Sequence, residues 1–192
     1  MKKIYIVHGW DGYPEEGWFP WLKSKLEEQG CEVIVPQLPD AANPRIENWV
    51  PALQRVAGMP DENTYFVGHS MGCQTIARYL EALPDGVIVG GVVFVAPFLK
   101  RLTELENPEV EALAAHWLTA PLDLMKVKSH LRASTAIFSD NDNFVPLDNV
   151  DAFKNVLGSD IVVLSGRGHF SGGVNGCFEL PEALEALQGM MN

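Results

Sequence analysis

Cysteines, basic residues and long apolar runs are all scarce in this sequence of 192 residues. The three cysteines, Cys31, Cys73 and Cys177, are odd in number and form no C-x-x-C pair. Disulfide-stabilised domains and zinc knuckles both need cysteines that are paired at short spacings. The sequence therefore predicts neither a disulfide framework nor a zinc site.

Positive charge is sparse and scattered along the chain. Lysine and arginine total 14 against 25 aspartates and glutamates, which gives a net charge of −11. A surface that binds nucleic acid through its phosphates needs a basic patch or stripe. We therefore expect no nucleic-acid partner. The acidity favours solubility and disfavours an anionic substrate.

No apolar run approaches the roughly 18 residues that a membrane-spanning helix requires. Near the N-terminus, the apolar run that follows Lys2 and Lys3 covers only residues 4–7. A secretory signal peptide needs an apolar stretch of about 7–15 residues. The run indicates a buried first strand instead, and we expect a cytoplasmic protein with no membrane partner.

Short apolar runs alternate with helical patterns along the whole chain. The runs predict six strands, at 4–7, 33–35, 65–67, 92–95, 135–138 and 161–164. The helical patterns predict helices at 19–29, 46–57, 71–83, 113–118, 148–156 and 180–190. Fully apolar strands separated by helices are typical of a parallel sheet with helices on both faces. We predict one α/β domain, residues 1–192, with about six mostly parallel strands.

Two segments depart from this alternation. Pro51 lies inside the pattern 46–57, so we expect that helix to start or bend there. Residues 98–132 separate two strands by more than one crossover requires, and long connections usually carry function or structure of their own. For this insert we predict a helix and a loop near the C-terminal edge of the sheet.

The segment GHSMG, residues 68–72, joins the third predicted strand to the helix that follows it. G-x-S-x-G in this context is the nucleophile elbow, a tight turn that lifts a serine hydroxyl above the sheet edge. The start of the helix favours negative charge at that point. Ser70 is therefore the candidate nucleophile. The alternative is a glycine-rich turn whose serine only caps the helix.

A serine nucleophile needs a general base, and the chain has five histidines. In α/β-hydrolases the acid and then the histidine follow the serine along the chain. His169 fits this order, and it follows the last predicted strand, at the sheet edge where Ser70 is expected. The others are expected to pack or bond locally (His8 and His69) or to lie on the surface of the insert (His116 and His130).

Two aspartates compete for the role of the acid that orients the base. Both follow strand 135–138: Asp140 is nearer the strand, and Asp142 lies in an Asp-x-x-Val-Pro segment. We favour Asp142, because an aspartate as close to the strand end as Asp140 is expected to bond its own backbone in a turn. The D-N-D-N run also suggests a calcium loop, but Val145 occupies the sixth position, where glycine is required. No metal site is predicted.

The oxyanion formed in acyl transfer needs hydrogen-bond donors. One donor is expected to be the backbone N–H of Met71, the residue after the serine, and the other should come from the loop after the first strand. In the HGWDG segment, residues 8–12, Gly9 lets the backbone turn, so the N–H of Trp10 is the candidate. A plain glycine turn is the alternative for this segment.

Four segments, HGWDG, VGHSMG, SDNDNFVP and GRGHF, resemble those of the small α/β-hydrolases of the YdeN and retinoblastoma-binding serine hydrolase type. The resemblance covers nearly the whole chain. It implies a minimal α/β-hydrolase fold without a large lid and a triad of Ser70, Asp142 and His169. It also implies that Trp10 and Met71 are the oxyanion donors. The L-x-C-x-E segment through which that family binds the retinoblastoma protein is absent here, so this partner is not expected.

The sequence thus predicts a serine hydrolase that cleaves small carboxylic esters through an acyl-enzyme, without a metal or organic cofactor. Together with Trp10, four aromatic residues are candidates for an apolar acyl site, with the core as the alternative for each: Phe98, Trp117, Phe144 and Phe170. Two other functions stay open. One is an amidase or peptidase that uses the same residues, and the other is a non-catalytic interaction protein with a hydrolase-like fold.

Overall fold

A six-stranded sheet forms the centre of the molecule, of which the computed structural model describes residues 1–192. The strands are β1 (Lys3–Val7), β2 (Glu32–Ile34), β3 (Thr64–His69), β4 (Gly91–Val95), β5 (Ser134–Ser139) and β6 (Asp160–Leu164). Their order is β2-β1-β3-β4-β5-β6, and all five pairings are parallel. The prediction of six strands is confirmed to within two residues at every boundary, and the sheet is wholly parallel.

Eight helices flank the sheet. They are α1 (Phe19–Glu27), α2 (Ile46–Ala57), α3 (Met71–Glu81), α4 (Pro108–Thr119), α5 (Leu124–Ser129), α6 (Val150–Ala152), α7 (Gly172–Asn175) and α8 (Pro181–Met191). A 3₁₀ turn, Leu147–Asn149, precedes α6, and a π-helical turn, Phe153–Leu157, follows it. None of the helices is long and apolar enough to cross a membrane.

The helices cover both faces of the sheet. Consecutive residues of a strand point to opposite faces. A side chain at Gly68 would meet Cys73 of α3, whereas one at Gly91 would meet Met190 of α8. Gly91 pairs with Tyr65, which points to the face opposite Gly68. Because both faces are covered, β1, β3, β4 and β5 are buried almost throughout, which explains their continuous apolar runs.

Three helical predictions need correction. Helix α2 starts at Ile46, so Pro51 does not start it; the buried side chains of Trp49 and Leu53 hold the helix on both sides of the proline. The segment predicted as one helix at 148–156 is divided into 3₁₀, α and π turns. The insert holds two helices where one was predicted, and α5 was not predicted because its six residues are too few to show a helical period.

The buried guanidinium of Arg78 attaches the insert to α3. It donates hydrogen bonds to the carbonyl oxygens of Trp117, Ala120 and Pro121, at 2.8, 3.0 and 2.9 Å. These carbonyls lie at the end of α4, where the last carbonyl groups have no partner within the helix. A positive charge at that end is also favoured by the helix dipole. The insert is thus anchored to the helix that begins just after Ser70.

Helix α3 starts so close to the end of β1 that Gly72 has no room for a side chain. A Cβ there would overlap the carbonyl oxygen of Val7 and lie 2.6 Å from that of His8. Both obstacles are backbone atoms, which move less easily than side chains. We expect Gly72→Ala to lower the free energy of unfolding by about 3 kcal/mol, as measured by urea denaturation.

Gly189→Ala is the matched control for this substitution. Gly189 lies in α8, its φ is negative, and a Cβ there would meet nothing within 4 Å. Alanine at this helix position is expected to raise stability by roughly 0.5–1 kcal/mol. Equal urea midpoints for the Gly72 variant and the wild-type protein would contradict the close packing of α3 on β1.

Candidate active site

Ser70 lies in a sharp turn between β3 and α3. Its φ of 51° and ψ of −115° lie outside the helical and extended regions, so the backbone is strained. The Ser70 N–H donates to the carbonyl oxygen of Val95 at 2.9 Å, which fastens the turn to the end of β4. A Cβ at Gly68 would lie 2.8 Å from the backbone nitrogen of Cys73. The two glycines of the motif therefore allow the close approach of α3 to β3 and β1.

His169 reaches Ser70 from the loop after β6. Its Nε2 lies 2.9 Å from Ser70 Oγ, and its Nδ1 lies 2.8 Å from Asp142 Oδ2. An ionised carboxylate only accepts hydrogen bonds, so Nδ1 carries the proton. Nε2 is then free to accept a hydrogen bond from the serine hydroxyl. The three side chains thus form a continuous chain of hydrogen bonds from a buried carboxylate to the serine hydroxyl.

The two candidate aspartates have different partners. Asp142 Oδ1 accepts from the backbone N–H groups of Phe144 and Val145, at 2.9 and 3.1 Å, which leaves Oδ2 directed at His169. Asp140 accepts from Gly166 N–H and Ser165 Oγ, at 2.9 and 2.7 Å. These bonds lower the pKa of Asp140. The partners of Asp140 thus include the loop after β6, and not only its own turn as the sequence predicted.

Polar side chains that the sequence reasoning missed hold the loop of His169. Asn141 Oδ1 accepts from Gly168 N–H at 2.8 Å, and Asn175 Oδ1 accepts from His169 N–H at 3.0 Å. Ser139 Oγ accepts from the N–H of Arg167 at 3.0 Å. The polar run Ser-Asp-Asn-Asp at the end of β5 was the available signal for two of these residues. Asn175 lies in a short helix that has no recognisable pattern.

The expected oxyanion donors lie beside Ser70. A side chain at Gly9 would come within 3.2 Å of Ser70 Cβ, so the backbone of this loop passes directly by the serine. The N–H of Trp10 donates to no group of the protein. Met71 is the first residue of α3, and the first N–H groups of a helix have no partner within it. Both residues line the same cavity as Ser70 and His169.

This cavity has a volume of about 370 Å³, and it opens above Ser70. Three of the aromatic residues considered for an acyl site line it, namely Trp10, Phe98 and Phe144. The insert adds an apolar wall that was not predicted, formed by Leu102, Leu105 and Val110. The lining also includes three acidic residues, Asp11, Glu16 and Glu106. It includes no lysine or arginine. Burial raises the pKa of Glu16, whose Oε2 has no hydrogen-bond partner.

Two aromatic residues proposed for the acyl site lie elsewhere. Trp117 is fully buried against Trp49, and its indole N–H donates to the carbonyl oxygen of Pro44 at 3.0 Å. Phe170 is also fully buried and does not line the cavity. Both belong to the core, which was the alternative stated for them. Sequence alone does not separate the two environments, because each is apolar.

The other histidines differ partly from expectation. His116 lies at the surface and pairs with Glu47 at 3.1 Å. His130 was expected at the surface but is buried, and its Nδ1 donates to the carbonyl oxygen of Val87 at 2.7 Å. His8 Nδ1 donates locally to the carbonyl oxygen of Gly9 at 2.8 Å, as expected, and its Nε2 also accepts from the N–H of Leu38, outside its own turn. His69 is also buried, and its partner is distant in sequence.

The sheet order, the turn at Ser70 and the histidine after the last strand together define an α/β-hydrolase of minimal size. Comparison with known families leads to the same class. The serine hydrolase family model matches residues 4–188, so the chain belongs to the serine hydrolase family and is a hydrolase. The chain is 30% identical to YdeN of Bacillus subtilis (strain 168) over 169 residues, which cover 88% of this chain and 86% of YdeN.

Solved structures share this fold. The crystal structure of the ydeN gene product from B. subtilis matches with a TM-score of 0.90 and 29% identity, over 100% of this chain and 99% of that one. A carboxylesterase structure from Nitrososphaera gargenis matches with a TM-score of 0.73 and 14% identity, over 99% and 89%. Est1E from Butyrivibrio proteoclasticus, with ferulic acid bound, matches with a TM-score of 0.70 and 15% identity, over 100% and 88%. The last two likenesses show the fold alone.

Because burial lowers the pKa values of two histidines, His69 and His8, we predict that mild acid destabilises the protein. Burial, and next the nearby His169, lower the pKa of His69 from 6.5 to about 3. Between these values the unfolded chain binds a proton at this imidazole and the folded protein does not, so stability falls as the pH falls below 6.5. We expect the free energy of unfolding to drop by about 2 kcal/mol between pH 6.5 and 5 from this group.

Urea denaturation at several pH values measures this dependence. His69→Gln removes the titrating group, so its stability should change less with pH over the same interval. Burial also lowers the pKa of His8, which adds a contribution of the same sign to both proteins. An identical pH dependence in the variant and the wild-type protein would contradict the assignment to His69.

Proposed function

We propose that the protein hydrolyses small carboxylic esters through a covalent acyl-enzyme on Ser70. The observation that carries the proposal is the chain of hydrogen bonds from Asp142 through His169 to Ser70, at 2.8 and 2.9 Å, beside an open cavity. A serine hydroxyl is a weak nucleophile unless an adjacent base removes its proton. The tautomer of His169 that Asp142 selects leaves Nε2 available for this role.

In the first half of the reaction, Ser70 Oγ attacks the ester carbonyl while His169 Nε2 takes the hydroxyl proton. The carbonyl oxygen becomes an oxyanion, and the N–H groups of Trp10 and Met71 stabilise it. The intermediate then collapses. The bond to the alcohol oxygen breaks, and His169 donates its proton to the leaving alkoxide, which departs as the alcohol. The acyl group remains on Ser70.

In the second half, a water molecule replaces the alcohol. His169 takes a proton from the water as its oxygen attacks the acyl carbonyl, and the same two N–H groups hold the second oxyanion. The bond to Ser70 Oγ breaks, His169 returns the proton to the serine, and the carboxylic acid leaves. Asp142 stabilises the positive charge that His169 carries in both halves.

The nature of the leaving group favours an ester as the substrate, and the size of the cavity favours a small acyl group. An alkoxide departs more easily than an amine anion, so an ester demands less of the site than an amide. Phe98 and the apolar wall of the insert supply a surface for an acyl chain. A volume of about 370 Å³ lies near the lower end of typical ligand sites, which are roughly 300–1,000 Å³.

A fluorophosphonate probe tests the proposal directly. We expect the probe to label the wild-type protein and the control Ser129→Ala, in which an exposed serine is changed. Ser70→Ala should not be labelled, because the attacking oxygen is gone.

In a second experiment, p-nitrophenyl esters of short acids should be hydrolysed faster than aminoacyl p-nitroanilides. Equal labelling of Ser70→Ala would contradict the proposal, and absence of labelling in the wild-type protein would favour a non-catalytic role. Preference for the anilides would favour an amidase.

The role of Asp142 is tested by comparison with its neighbour. Asp142→Asn places an amide beside Nδ1 and favours the wrong tautomer of His169, so kcat for a p-nitrophenyl ester should fall about 10⁴-fold. Asp140→Asn changes the same chemical group in the same loop, but Asp140 bonds Ser165 and Gly166 and not the imidazole. This control should lose far less activity. Similar losses in both variants would mean that the loop as a whole matters and not the contact with His169.

A further inference from the structure

His69, the residue directly before Ser70, makes a second connection to the loop of the base. Its Nε2 lies 2.8 Å from the backbone carbonyl oxygen of His169, one hundred residues along the chain. A carbonyl oxygen can only accept, so the ring nitrogen donates and Nε2 carries the proton. His69 is buried, where a hydrogen bond is costly to lose because the carbonyl would be left unpaired.

The ring of His69 is fixed on several sides. It lies against the imidazole of His169, with ring centroids 5.1 Å apart and planes at 48°. Trp18 and Phe19, at the start of α1, meet it edge-on at 6.1 and 6.2 Å. The ring therefore has little freedom to turn, and it contacts His169 both through its N–H, at the backbone carbonyl, and through the tilted ring pair.

The loop of His169 needs such support. Gly166, Gly168 and Phe170 all have positive φ, so the backbone around the base follows an irregular path. Asn141 and Asn175 hold N–H groups of this loop. His69 is the side chain that holds the carbonyl group of His169 itself. Because His69 and Ser70 are adjacent, this bond ties the backbone of the base to the backbone of the nucleophile.

We propose that His69 is a positioning residue, which keeps Nε2 of His169 on the Ser70 hydroxyl through the bond from its own Nε2–H to the His169 carbonyl and through contact of the two rings. The inference rests on the function proposed above. A misplacement of about 1 Å at a catalytic group can cost 10²-fold in rate. His69 is also uncharged at neutral pH, because burial lowers its pKa to about 3. It therefore adds no repulsion when the neighbouring His169 takes up a proton.

The test compares three substitutions in the full-length protein. His69→Phe keeps a ring of similar shape and removes the donor, His69→Gln places an amide N–H near the position of Nε2, and His69→Asn carries an amide that is too short to reach. With a p-nitrophenyl ester, we expect the Phe and Asn variants to lose about 10- to 100-fold in kcat with little change in KM. The Gln variant should retain most of the wild-type kcat.

His130→Phe is the matched control. It removes another buried hydrogen bond from a histidine to a backbone carbonyl, that of Val87, away from the cavity. It should lower stability without lowering kcat. If His69→Phe does not fold, the comparison of Gln with Asn still decides. Wild-type kcat in the Phe or Asn variant would overturn the inference, as would equal losses of kcat in the Gln and Asn variants.

A spectroscopic measurement separates this inference from the proposed function. The Nδ1 proton of His169, which is bonded to Asp142, should give a downfield proton NMR signal in the wild-type protein and in His69→Gln. In His69→Asn the signal should broaden or shift, because the ring is no longer held. An unchanged signal in that variant would overturn the positioning role. A wild-type protein that shows the signal but neither labels nor turns over would instead refute the hydrolase mechanism.

Discussion

At Ser70 the backbone takes a φ of 51°, a conformation that costs about 1–3 kcal/mol for a residue with a side chain. The surrounding structure holds it there. The Ser70 N–H is bonded to the end of β4, its carbonyl accepts from Cys73 N–H, and the flanking glycines let α3 approach the ends of β1 and β3. The close packing of α3 on the strand ends therefore holds the strained backbone of Ser70 in place. The sheet and α3 fix the position of the hydroxyl before any substrate binds.

The other parts of the site are built by loops that follow β1, β5 and β6. In a parallel sheet the carboxyl ends of all strands lie at one edge, so residues distant in sequence meet there. Side chains then connect the loops to one another. Asn141 and Asp140 bind the loop of His169 from the end of β5, and His69 binds it from the end of β3. Each of these bonds joins two strands, and together they limit the movement of the imidazole.

The sequence was most informative where chemistry and local geometry impose the same residues. The six strands could be predicted because each contains a short apolar run, and the turn at Ser70 because its steric limits require glycine two residues to either side of the serine. Contacts between distant segments could not be predicted in the same way. The burial of Trp117 and His130, and the bond from His69 to His169, depend on which surfaces meet after folding. Helix α5 was missed because six residues hold less than two turns of periodicity.

The acidic lining of the cavity has a consequence for the end of the proposed reaction. Hydrolysis converts an uncharged ester into an acid that ionises to an anion near neutral pH. The walls of the cavity carry the carboxyl groups of Asp11, Glu16 and Glu106, and no lysine or arginine is present to retain that anion. Electrostatic repulsion should therefore make the anionic acid bind more weakly than the uncharged ester. The acid product should therefore bind weakly and inhibit the enzyme little, while the equilibrium between ester and acid stays unchanged.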